Sequence, residues 1–295
     1  MARSRRLLTV VGGLVALGLT GCGGGEVAVG APNGVAVAAP AAAAPASAGS
    51  PVEVVAASAD TAREAGAARL RLESVSSTPS GEVRVTADGV VDNADGTAAL
   101  TLTPQLPPDA ANTGTPAVGP IEVRLVDGAV YVRGVPGQAE GTWLRQPVPA
   151  LAQSGVPGNP TESLALLRSA VDVAEAGTAD VRGEQTTRYT GTIDVAAVLE
   201  QTADENPAAA QAVEQLRAAG IEQVPFEVFL DSQGRPVRLV QTLEITAAGT
   251  PFTTTTTLDL YDWGTEVDVQ APDPASVVDA PAPAATSPAA TSVPS

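Results

Sequence analysis

Ile121-Glu122-Val123-Arg124-Leu125-Val126-Asp127-Gly128-Ala129-Val130-Tyr131-Val132-Arg133 spells a β-hairpin. Val123 and Leu125 alternate with Glu122 and Arg124, the period of two that gives a strand one apolar and one polar face. Asp127-Gly128 supplies two residues that tolerate positive φ, the requirement of a tight hairpin turn. Val130, Tyr131 and Val132 form the return strand.

The same grammar recurs on both sides. Glu82–Ala87 runs into Asp88-Gly89 and Val90-Val91, and Asp95-Gly96 leads into 98–103. Further along, Phe226, Val228 and Leu230 alternate up to a turn at 231–234, and Val237, Leu239, Leu243 and Ile245 return at period two. Thr253–Thr257 with Leu258 and Leu260 reads as another strand, its threonines forming an exposed face. Arg182–Val195 reads as a strand pair with Tyr189 and Ile193 on one side.

Three segments carry helical spacing: 54–70, a Thr161-capped stretch with Leu164, Leu167 and Val171, and 207–219 with Val213 and Leu216 inward and Gly220 as C-cap. Many hairpins and few helices predict an α+β fold. A single strongly curved antiparallel sheet has its apolar face covered by the helices.

The N-terminus carries a different signal. Arg3, Arg5 and Arg6 precede an apolar and small-residue run from Leu7 to Leu19, which ends in Thr20-Gly21-Cys22. A run of 13 residues is too short for the roughly 20 that span a bilayer, and the order is that of a secretory signal peptide. Cys22 is the only cysteine. Its place directly after Thr-Gly matches a lipobox, so the expectation is cleavage after residue 21 and acylation of the Cys22 thiol.

The remaining chain divides into a Gly/Ala/Pro linker over 22–54, a folded domain over 55–272 and a disordered Pro/Ala/Ser/Thr tail over 273–295. Residues 104–119 form a Pro-, Ala- and Gly-rich insertion between early strands.

Composition excludes several functions. Beyond residue 21 there are 13 basic residues, all arginine, against 33 acidic ones. So acidic a chain, without basic clusters, lacks the phosphate-neutralising patches of a nucleic-acid binder. It also cannot adhere broadly to an anionic membrane, so the lipid on Cys22 is the expected membrane attachment. Without His or Lys, most triad, Schiff-base and His-metal arrangements cannot be built.

No cofactor or metal site is expected. Asp92-Asn93-Ala94-Asp95-Gly96 resembles part of a calcium loop but lacks the closing bidentate Glu, and reads as a turn. Glu184 and Asp194 read as solvated strand-edge charges, and Trp143 and Trp263 as edges of the core.

In the second half the phrases follow a recognisable order. Arg182-Gly183-Glu184-Gln185-Thr186-Thr187-Arg188-Tyr189-Thr190-Gly191 precedes the helical segment ending at Ala219-Gly220. Val224-Pro225-Phe226-Glu227-Val228-Phe229-Leu230-Asp231 and Gly234-Arg235-Pro236-Val237-Arg238-Leu239 follow, and Tyr261-Asp262-Trp263-Gly264 closes the series. With Gly89-Val90-Val91-Asp92 and Val130-Tyr131-Val132 in the first half, this order resembles the LppX/LprG-type cell-envelope lipoproteins, relatives of the LolA-like lipoprotein carriers.

The resemblance spans about 55–275. It implies a half-barrel with a hydrophobic cavity under its helices that binds lipid or glycolipid acyl chains for carriage or presentation.

The expected function is therefore non-enzymatic: a monomeric lipid-binding lipoprotein, held on the outer face of the plasma membrane through Cys22. The alternative is an interaction or sensor module with a filled core, contacting an envelope protein. Cavity candidates are Val123, Leu125, Leu164, Leu167, Val213, Leu216, Phe226, Val228, Leu230, Leu239 and Leu243. Whether they touch lipid or only helices is left open by the pattern. An apolar cavity of roughly 300 Å³ or more separates the two readings.

Overall fold

At the Asp127-Gly128 turn, β4 (Ile121–Val126) passes into β5 (Ala129–Arg133) with φ of 53° and 68° at the two turn residues. Both angles are positive, as a type I′ turn requires. The computed structural model describes residues 49–78, 81–107, 119–147, 160–202, 213–214, 216–217, 220–247 and 250–280. Cys22, the expected linker up to residue 48, most of the 104–119 insertion and the tail from 281 lie outside them.

The described strands form one open, curved, 12-stranded sheet. A first meander comprises β1 (Ala67–Thr78), β2 (Gly81–Asp92), β3 (Thr97–Gln105), β4, β5 and β6 (Trp143–Pro147). A second comprises β7 (Ala170–Val181), β8 (Glu184–Asp194), β9 (Gln223–Leu230), β10 (Pro236–Ala247) and β11 (Thr250–Tyr261). The meanders join where β1 pairs antiparallel with β11, and β12 (Val277–Asp279) adds in parallel to β6 at one edge.

Register explains where the core sits. Ile121, Leu102, Ala87, Leu72, Leu258, Leu239, Val228 and Tyr189 are successive partners across eight strands, an unbroken apolar row on the concave face. Each Leu or Val buried there contributes roughly 1.5–3 kcal/mol.

Over this face lie α1 (Pro51–Ala65), α2 (Pro160–Ala165) continuing as a 3₁₀ turn (Leu166–Ser169), and α3 (Val195–Thr202). α1 buries Val55, Ser58, Ala59 and Ala62, a face of small side chains that lets it sit close to β7 and the 3₁₀ turn. On the convex face, Arg188 pairs with Glu227 and Arg238 with Asp259, both through two hydrogen bonds. Trp143 is buried on that side with Val126 and Tyr131, under the Arg124 and Arg133 guanidiniums.

The structure differs from the sequence reading at several places. The first helix starts at Pro51, because Ser50 and Glu53 form a capping box, and it stops at Ala65 instead of residue 70. Gly66 adopts φ of 71°, and its carbonyl accepts from both Asn93 N and Asn93 Nδ2, which fixes the exit into β1.

Asp88-Gly89 is not a turn but the interior of β2. A Cβ on Gly89 would stand 2.0 Å from the Ala99 carbonyl oxygen, so this glycine serves close strand approach. The turn comes later, where Asp92 Oδ1 accepts from Ala94 N and Asp95 N, which accounts for the calcium-like fragment. Thr161 lies inside α2, and Val171 belongs to β7 and not to a helical stripe. Ordered structure also runs past 272, since Val277–Asp279 pairs with Trp143–Arg145.

Candidate functional site

Two residues beyond the apolar row, the concave face changes character. Ser74, Thr256 and Gln241 are neighbours in one register row; Ser76, Thr254 and Leu243 follow in the next. Ser74 and Thr256 hydroxyls share a hydrogen bond of 3.3 Å, and Ser76 and Thr254 one of 2.9 Å. The hydroxyls therefore satisfy one another and leave their methyl and methylene groups as surface.

Above this floor is a pocket of about 220 Å³, lined predominantly by apolar side chains. Its walls are Leu166 of the 3₁₀ turn, Val195 and Val198 of α3, Ile193 and Val224 of the adjoining strands, and Val213 and Leu216.

Local sequence explains the walls. Asp194 Oδ1 accepts from Ala196 N and Ala197 N, an N-cap that turns the chain from β8 into α3. Val195 and Val198 are then three apart and face the same way. Helical backbone at 213–214 and 216–217 ends in a Schellman arrangement: Gly220 N donates to Arg217 O and Ile221 N to Leu216 O. This bears out Gly220 as the helix terminator and fixes Leu216 over the floor.

Of the sequence candidates, Val213, Leu216 and Leu243 line this pocket. Val123, Leu125, Leu167, Phe226, Val228, Leu230 and Leu239 are buried in the main core cluster. Leu164 is also in that cluster and borders a separate polar recess with Arg63, Asn93 and Arg168.

Sequence reading did not single out Leu166, Ile193, Val195, Val198, Val224, Gln241, Thr254 or Thr256 as lining residues. The signal for α3 was present: an Asp followed by Val195, Val198 and Leu199 at helical spacing. Thr254 and Thr256 are half-buried and inward, not exposed.

Chemically, the lining offers van der Waals contact and one amide. Among the described residues it contains no titratable side chain, and its floor hydroxyls are already paired with Ser74 and Ser76. Among the described residues, no group of three His, Cys, Asp or Glu side chains could hold a metal ion. Such a surface suits an alkyl chain with one hydrogen-bonding group, since apolar contact is non-directional. The volume falls short of the roughly 300 Å³ at the low end for drug-sized ligands. At about 30 Å³ for a water or a similar-sized methylene, it holds about seven methylenes.

No protein-family model and no curated protein matches the chain. Solved structures do. LppX, a lipoprotein of Mycobacterium tuberculosis, is 16% identical, with 75% of this chain and 98% of that one covered and a TM-score of 0.45. LprF from Mycobacterium bovis is 14% identical, with 75% and 96% covered and a TM-score of 0.42. A putative outer membrane lipoprotein-sorting protein domain from Vibrio parahaemolyticus is 8% identical, with 74% and 93% covered and a TM-score of 0.28. LppX and LprF are of the type that the ordered sequence phrases resemble.

Proposed function

We propose that this chain is an envelope lipoprotein that takes one acyl segment of a lipid or glycolipid into the pocket between α3 and the Gln241–Thr254–Thr256 floor. The observation that carries the reading is the pocket itself. Its described lining is apolar and uncharged, and short helical segments roof it. Gln241 makes no side-chain hydrogen bond to the described residues and is placed to meet an ester or acid carbonyl at the chain's end. About seven buried methylenes at about 0.8 kcal/mol each give roughly 6 kcal/mol of transfer free energy. That favours a reversible carrier or presenter over permanent storage.

Processing after residue 21 and acylation of Cys22 would hold the domain at the outer face of the plasma membrane, beside the source or destination of such a lipid. In this reading the protein is monomeric and non-enzymatic, with a domain reaching from Ser50 to about Asp279.

The pocket's small volume favours a second reading, an interaction module whose core is filled. The two separate in native mass spectrometry of an unacylated Cys22→Ser chain made in a related host. Adducts of lipid mass, lost on organic extraction, support the first reading. A bare chain throughout supports the second.

A further inference from the structure

A second recess, of about 360 Å³, lies at the other end of the strands. Along β10, Val237 in its wall is four to six residues from the pocket floor at Gln241 and Leu243. At about 3.4 Å per residue that is roughly 14–20 Å, so the two sites are separate. The recess is built by the β7–β8 turn, the β9–β10 turn and the residues that leave β11.

Its electrostatics are unusual for so acidic a chain. Ten of the described arginines sit in ion pairs with carboxylates. Arg182 is not among them: its guanidinium lies 3.8 Å from the centre of the Tyr261 ring. The nearby carboxylates are engaged elsewhere. Asp231 holds Arg235 at 2.6 Å, Asp262 holds Arg69 at 3.5 Å, and Asp180 accepts from Gly183 N. Across the recess, Trp263 Nε1 is buried and has no hydrogen-bond partner, a donor without an acceptor. Glu184, exposed at the edge, makes no ion pair.

Backbone conformation adds an independent observation. Arg182 adopts φ of 56° in the turn it forms with Gly183. That position suits Asn, Asp or Gly, and a long side chain there is uncommon. The turn accepts a less suitable residue and in return holds a guanidinium over Tyr261 at the mouth of the recess.

We propose that this recess binds a singly charged oxyanion on a hydroxylated carrier, such as a uronate or a phosphodiester-linked polyol. Arg182 and the Trp263 indole N–H donate to the anion, and Glu184 accepts from a neighbouring hydroxyl. One guanidinium and one neutral donor match a single negative charge, whereas a dianion would meet Glu184 and the acidic surface unfavourably.

The test follows the indole N–H signals of the full domain by ¹H–¹⁵N NMR. The chain has two tryptophans, and a Trp143→Phe variant assigns the pair. The probes are glucuronate, glycerophosphoglycerol and, as a neutral control, N-acetylglucosamine. The Trp263 signal is expected to shift downfield and saturate with at least one charged probe while Trp143 stays still. The probe that saturates identifies the carrier. Arg182→Asn removes the guanidinium and suits the turn, so it should melt no lower than the parent yet weaken binding about tenfold or more.

Three results would overturn the proposal: no Trp263 shift with either charged probe at about 10 mM, ten times a Kd of about 1 mM; an equal shift with N-acetylglucosamine; or unchanged affinity in Arg182→Asn. None of these depends on whether the apolar pocket takes lipid.

Discussion

Val198→Phe is the most informative single change. Val198 is 4% exposed on α3 and faces the apolar pocket. Phenylalanine adds four carbons, which at somewhat under 30 Å³ each fill roughly half of the 220 Å³ space. The capacity for alkyl chain should drop from about seven methylenes to about four. At about 0.8 kcal/mol per methylene, three lost methylenes amount to about 2.4 kcal/mol, or roughly 60-fold in Kd for a long chain.

The assay is displacement of a fluorescent fatty acid from the delipidated domain by saturated fatty acids of increasing length. For the parent, each added methylene should tighten binding about fourfold and the gain should level off near seven. For the variant the plateau should come near four. Because the ring enters empty space and does not displace packed atoms, the melting temperature should hold or rise. Equal long-chain affinity in parent and variant, with both folded, would refute the pocket as the alkyl site.

Other consequences of the fold are open to measurement. Asp194→Ala removes the cap of α3, and should cost about 1 kcal/mol in urea unfolding and weaken alkyl binding together, since α3 supplies two wall residues. Gly89→Ala places a Cβ against the Ala99 carbonyl in mid-sheet, and should cost about 3 kcal/mol or more by the same assay.

Stability should fall in acid. Backbone and side-chain hydrogen bonds from Ser50 hold the Glu53 carboxyl below its ordinary value of 4.5, and the Arg168 hydrogen bond and charge hold Asp60 below 3.8. Both folded values are depressed, so this stabilisation is complete above the ordinary carboxylate range and is lost as pH falls through the lowered values. Melting curves between pH 7 and 3 should show that loss, and Glu53→Gln should reduce it. Binding of an uncharged alkyl probe, by contrast, should be flat between pH 5 and 8, because among the described residues no titratable group lines the pocket.

What was legible in the sequence was what neighbours along the chain decide. Asp127-Gly128 requires only its own two φ angles, and the turn is where that pair stands. Gly220 stops its helix through its own bond to Arg217, three positions back, and the bond of the next residue, Ile221, to Leu216, five positions back.

Features set by distant partners were harder to read. Asp88-Gly89 has turn composition, yet β3 approaches so closely that glycine is needed inside a strand. β7 escaped notice because Asp172 and Gly177 take positive φ and two bulges interrupt its pairing with β8. The pocket floor is a matter of register. Thr254 and Thr256 alternate in step with the inward Leu258 and Leu260, but only the pairing of β1 with β11 decides that Ser74 and Ser76 stand beside them and take up their hydroxyls. Most predicted lining residues have the right face but stand too far along the strands, where the same apolar surface closes into core.

Covalent mapping tests the central claim most directly. A palmitate carrying a diazirine near its methyl end, photolysed on the delipidated domain and located by peptide sequencing, should mark Leu166, Val198, Leu216 or Leu243. Label confined to the convex face, or no label above that on heat-denatured protein, would contradict a lipid-holding pocket.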